Sequence, residues 1–152
     1  IRDANGKVLR QCPPEVYCAH FSLCVWPTQK SSAKLLVADE QRLSIIDFAG
    51  GTAGRYQLPE TGQPTIPRAA LVHLRSDEQD YLAALMVTGN PLWQSSMLYL
   101  FNSDRQLVYE EIIPGKCASI LAVPEGSGAR DALLVGGVNT VWKYTAVNHG
   151  GI

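Results

Sequence analysis

Apolar residues along the chain fall in short runs separated by turn-forming residues, and the runs recur at a nearly constant spacing. Leu35-Leu36-Val37-Ala38-Asp39, Leu85-Met86-Val87-Thr88-Gly89 and Leu133-Leu134-Val135-Gly136-Gly137 share one pattern, and Val37, Val87 and Val135 stand 50 and 48 residues apart. A second apolar run precedes each, at 19–26, 69–74 and 118–123, with starts 50 and 49 residues apart. After each central run come a polar or Gly-containing turn and an aromatic or β-branched run: Leu43 to Phe48, Met97 to Phe101 and Thr140 to Tyr144. A fourth run ends at proline twice, Gly54 to Leu58 before Pro59 and Gln106 to Ile113 before Pro114. Short β-branched and aromatic runs bounded by turn residues predict strands, and no stretch of helical period competes with them. Asp47-Phe48-Ala49-Gly50-Gly51 and Asn102-Ser103-Asp104 supply the residues that tight hairpin turns need.

The chain is therefore expected to be all-β: consecutive four-stranded antiparallel meanders, read as blades of a β-propeller, with a β-sandwich as the alternative. Residues 15–63 and 64–115 form one blade each, and 116–152 form an incomplete blade that lacks its fourth strand. Residues 1–14 hold the outer strand of a preceding blade or of the last one. That strand is Lys7-Val8-Leu9-Arg10-Gln11, placed between Asn5-Gly6 and Pro13-Pro14. If the ring closes internally, it pairs with the third blade. Three blades are too few to close, so the expectation is an excerpt of a ring of about six to eight blades, or a chain whose copies assemble into one. A start at Ile1 rather than Met fits a processed product or an excerpt.

Phe21-Ser22-Leu23-Cys24-Val25, then a turn, Leu35-Leu36-Val37-Ala38 and Leu43-Ser44-Ile45-Ile46-Asp47 resemble FG-GAP and related quinoprotein-like propeller repeats. The resemblance implies a calcium loop of the form Asp-x-Asp-x-Asp-Gly between the first two strands of a blade, where close carboxylates supply hard oxygen ligands. Here Pro27 to Ser32 has no carboxylate, and Glu125 and Asp131 are separated by Arg130. Ser76-Asp77-Glu78-Gln79-Asp80 is acidic but lacks the glycine. No metal is expected. The repeated tryptophan motif of the quinone-dependent enzymes is absent, so neither their cofactor nor their dehydrogenase activity carries over.

Composition narrows the function classes. Apolar residues make up 46% of the 152 and charged ones 18%, enough for a folded core. Thirteen Lys and Arg against fourteen Asp and Glu leave a net charge of −1, without the basic excess that nucleic acid binding requires. No apolar run reaches the roughly 20 residues of a membrane span, so a soluble chain is expected. Cys12, Cys18, Cys24 and Cys117 lack zinc-site spacing and a Cys/His signature, and read as buried thiols, although two disulfides would also be permitted.

No catalytic constellation emerges. His20 and His73 occupy similar positions in inner-strand runs and read as core or channel-lining residues, and His149 lies in the tail. Glu110 and Glu111, beside Tyr109, would face opposite sides of a strand and could not act as a pair. Gly136-Gly137 lacks phosphate-loop spacing and reads as a strand-end turn. Trp142 alternates with Val141 and Lys143 and reads as packing. Trp93 differs, because it lies in an insertion, Thr88 to Ser96, that lengthens the second unit's hairpin and carries an apolar tip. Pro91, Leu92 and Trp93 are the candidate contact site for a protein partner. The expected function is a non-catalytic interaction scaffold or receptor-like module with a protein partner or its own copies. The alternative is a propeller that binds a small ligand or carbohydrate, with or without catalysis, the active site in the catalytic case lying on blades outside this chain.

Overall fold

The computed structural model describes residues 4–8, 24–26, 34–39, 42–47, 52–59, 67–74, 80–90, 92–126 and 130–146. Every regular element among them is a strand. β1 (Cys24–Trp26), β2 (Lys34–Asp39), β3 (Arg42–Asp47) and β4 (Thr52–Gln57) form the first sheet, each strand antiparallel to the next. β5 (Arg68–Val72), β6 (Tyr81–Asn90), β7 (Trp93–Phe101) and β8 (Leu107–Pro114) form the second in the same order. β9 (Cys117–Glu125), β10 (Arg130–Gly137) and β11 (Val141–Tyr144) form a third sheet of three strands. Each sheet is a meander of consecutive strands, the cheapest connection for antiparallel neighbours because a short hairpin suffices.

In the second sheet the inner strands are buried on both faces, while most of β8 is exposed. Its Leu82, Ala84, Met86, Tyr99 and Phe101 pack with Leu43, Ile45, Tyr56 and Leu58 of the first sheet and its exit. Its Tyr81, Ala83, Leu85, Leu98 and Ile113 pack with Cys117, Leu133 and Val135 of the third. Because side chains alternate across a strand, β6 must be apolar at every position from Tyr81 to Met86, and all six are buried. This is three layers in chain order, unlike the two facing sheets of a sandwich.

The two inner strands of that sheet meet at alanines, Ala69 opposite Ala84 and Ala70 opposite Ala83, all buried, beside the large buried Leu82, Leu85 and Met86 of β6. Further out, Tyr56 of β4 lies edge-on to Phe101 of β7 at 5.5 Å between ring centroids.

Turn chemistry holds the layers in register. Arg105, at φ 66°, takes the left-handed position after Asn102-Ser103-Asp104, and Asn102 closes the turn with backbone bonds to Arg105 and Gln106. The buried Ser96 hydroxyl donates to the Gly115 carbonyl at 2.9 Å and accepts the Cys117 amide at 2.8 Å, tying β7 to the start of the third sheet. Asp131 accepts the His73 amide at 2.9 Å and returns its own amide to the His73 carbonyl at 2.7 Å, clamping the second sheet to the third. His73 therefore has a structural role here, with Asp80 3.4 Å from its Nδ1.

Of the Lys7–Gln11 strand, only Lys7 and Val8 are described. Val8 forms an isolated bridge, and β11 pairs only with β10 among the described residues.

Leu85→Ala and Met86→Ala remove fully buried side chains from opposite faces of β6. Each is expected to cost about 2–5 kcal/mol. Urea unfolding followed by circular dichroism checks this; a loss under about 1 kcal/mol at either position would contradict burial of β6 on both faces.

Candidate functional site

The insertion read from sequence as a lengthened hairpin with a loop-like apolar tip is strand almost to its end. β6 and β7 stay paired through Val87↔Ser96, Thr88↔Ser95, Gly89↔Gln94 and Asn90↔Trp93, leaving a two-residue connection at 91–92. Gly89 sits at φ 89°, and a Cβ there would run into the Trp93 carbonyl oxygen, so glycine is required for the twist that closes the tip. Leu92 and Trp93 are 86% and 80% exposed. A paired stem presents them on a stiff arm, and exposed aromatic and aliphatic groups held this way are suited to anchoring a partner. Pro91 lies outside the described residues.

The second surface was not recognised in the sequence as a site. Between the outer strand of the second sheet and the end of the third lies a cleft of about 550 Å³. Leu98 and Leu100 of β7, Tyr109 of β8, and Tyr144, Thr145 and Ala146 at the end of β11 line it. Tyr109 is 44% exposed and donates its hydroxyl proton to Glu111 Oε2 at 2.6 Å. The two are neighbours on one strand face, two positions apart. That hydrogen bond, then burial, push the Tyr109 pKa up to about 12. The Tyr144 hydroxyl is buried beside the Glu111 carboxylate. Burial first, then hydrogen bonding to Glu111, raise its pKa well above 10.0. Glu111 thus lies between two phenols, one on β8 and one on β11.

Glu110 and Glu111 do face opposite ways, as strand alternation requires: Glu110 pairs with Tyr99 across β7 and β8 and raises the pKa of that tyrosine after burial has done so. The other candidate residues divide between packing and positions outside the described set. Cys117 is a buried free thiol, and Trp142 packs partly buried against the cluster between the second and third sheets. Gly137 lets that ring approach, since a Cβ would come within 2.7 Å of it. His20, His149, Cys12 and Cys18 lie outside the described residues, as do the side chains of Cys24 and Trp26. Among the described residues no group of three metal-ligating side chains converges, and no helix is long and apolar enough to cross a membrane.

No protein-family model, curated protein or solved structure matches this chain.

The Tyr109–Glu111 bond has a titration signature. A phenol whose folded pKa is near 12 against an ordinary 10.0 contributes stability that is complete below pH 10 and is lost as pH rises through about 12. Glu111→Gln should move the Tyr109 ionisation back towards 10, read as phenolate absorbance against a Tyr109→Phe reference. An unchanged alkaline titration would refute the pairing. Tyr144→Phe deletes a buried hydroxyl whose neighbouring acceptor, Glu111, keeps the Tyr109 bond, and is expected to change stability by less than about 1 kcal/mol, checked by thermal unfolding.

Proposed function

We propose that the chain is a segment of a β-propeller, with its three meander sheets as successive blades, and that it serves as a non-catalytic protein-interaction scaffold. The observation that supports this reading is the second four-stranded meander, whose inner strands are covered on both faces by the sheets before and after it in chain order and meet each other at alanines. Consecutive meanders stacked in chain order are how propeller blades are arranged.

The outer face of the third sheet extends the argument. Leu121 and Val141 are 58% and 67% exposed there, next to the part-buried Leu134 and Val123. Register places Leu121 opposite Leu134 and Val123 opposite Ala132, so these residues share one face, pointing away from the second sheet. A salt bridge between Glu125 and Lys143 lies on the same face. The occupant proposed for it is a blade from a second copy of this chain. Two copies bring six sheets, within the range of about four to eight at which propellers close. The arm ending at Leu92 and Trp93 then recurs once per copy as the contact for a protein partner, together with Pro91.

The purified chain is expected to run as a discrete multimer in light scattering after size exclusion. Leu121→Lys combined with Val141→Lys should reduce it to a monomer while leaving the circular dichroism spectrum unchanged, since both side chains point into solvent within one chain. A wild-type chain that stays a stable monomer at every concentration would overturn the reading.

A further inference from the structure

We propose that Asn5 is a site of self-modification, at which the side-chain amide cyclises onto the backbone nitrogen of Gly6 and is converted to aspartate or isoaspartate. The inference goes beyond the interaction-scaffold reading and is independent of it, because the reaction needs only this turn and water.

The chemistry sets conditions that each asparagine of the chain can be held to. The Gly6 nitrogen attacks the Asn5 side-chain carbonyl carbon. A carbon–nitrogen bond forms and closes a succinimide ring, the bond from that carbon to Nδ2 breaks, and the Gly6 amide proton leaves with the departing ammonia. Water then adds to one of the two ring carbonyls. Opening at the side-chain carbonyl gives aspartate; opening at the main-chain carbonyl gives isoaspartate, in which the backbone runs through the former side chain. The next residue must therefore own a backbone N–H, its Cβ must not crowd that nitrogen, and the carboxamide must be able to swing over its own backbone.

Asn5-Gly6 meets these conditions. Ala4 and Asn5 form a turn, and residues 4–8 are all exposed. Gly6 sits at φ 79°, where glycine is at ease and other residues are strained. It brings no side chain to the reacting nitrogen, and a Cβ built on it would meet nothing within 4 Å, so the space beside that nitrogen is open.

The other asparagines each fail at least one condition. Asn90 precedes Pro91, which has no N–H to deprotonate. Asn102 is held at both ends of its carboxamide by Gln106: Oδ1 accepts the Gln106 amide at 2.9 Å, and Nδ2 donates to Gln106 Oε1 at 3.3 Å. Asn139 is exposed, but the β-branched Thr140 follows it and crowds the nitrogen. Asn148 precedes His149, whose side chain also stands beside the nitrogen, and lies outside the described residues.

Conversion replaces a neutral amide by a carboxylate two residues from Lys7 and makes the chain one charge more negative than its −1. The isoaspartate product also adds a carbon to the backbone between the turn and Val8, which forms the isolated bridge. Aspartate keeps the spacing of that segment, and isoaspartate does not.

The test incubates the complete 152-residue chain at neutral pH and body temperature over several weeks, with a zero-time digest as background. Trypsin releases residues 3–7 as one peptide with Asn5 as its only side-chain amide. Chromatography against synthetic aspartate and isoaspartate standards, with mass spectrometry, follows its conversion. Asn5 is expected to convert at least about tenfold faster than any other asparagine and to give both products. Its rate in the folded chain should match that of the free synthetic peptide, whereas Asn102 should convert more slowly in the folded chain than in its own free peptide. Gly6→Ala should slow conversion at Asn5 by about tenfold. Equal rates at all asparagines, or an Asn5 that stays intact in the folded chain while the free peptide converts, would overturn the proposal. An unchanged rate in Gly6→Ala would overturn it too, since attack by the Gly6 nitrogen would not then limit the reaction.

Discussion

Burial of β6 on both faces is the constraint from which the rest of the structure follows. A strand with one solvated face can alternate apolar and polar residues, but β6 has no solvated face between Tyr81 and Met86, and each of those side chains has to match a neighbouring sheet. Ala83 and Ala84 allow close approach where β5 and β6 meet, and Leu98, Tyr99 and Phe101 fill the wider space further out. The polar devices at the margins, Ser96 between Gly115 and Cys117 and Asp131 against His73, are positioned to keep that fit in register. Both satisfy backbone groups that the stacking would otherwise bury without partners.

The same constraint decides which surfaces stay open among the described residues. Stacking covers the inner strands of the second sheet, which leaves the end of its hairpin, the sheet edges and the outer face of the third sheet in contact with solvent. The β6–β7 hairpin reaches beyond the stack because its strands run on to Asn90 and Trp93, and its ladder gives the exposed Leu92 and Trp93 a fixed direction. A structureless loop of equal length would have to lose conformational freedom on binding, whereas a paired stem has already lost it on folding.

Much of the strand layout was legible because alternate burial and turn chemistry are local. The apolar runs around Val87 and Val135, and the turn at Asn102-Ser103-Asp104, fall where the sequence pattern placed them. The beginning of β7 was not, since Gln94, Ser95 and Ser96 read as loop residues. Ser96 is fully buried in the strand because its hydroxyl has two backbone partners, and neither could be inferred from the residues beside it. The cleft was hidden for a similar reason. Tyr109 and Glu111 could be placed on one strand face from their spacing alone, but the arrival of Tyr144 depends on how the third sheet stacks on the second. Reading Glu110 and Glu111 only as a possible carboxylate pair left out the phenols on either side of Glu111.

The third sheet differs from the second in what it leaves unfinished. Among the described residues its edge strand β11 pairs only with β10, its outer face exposes Leu121 and Val141, and its buried Tyr144 hydroxyl lies beside the Glu111 carboxylate. Any one of these is tolerable in a folded chain, since single exposed apolar side chains and occasional unsatisfied groups are common. The second sheet shares the first two at its outer strand, where β8 is also an edge among the described residues and exposes Val108 and Ile112, whereas its inner strands are covered on both faces and the hydroxyl of its buried Ser96 is doubly bonded.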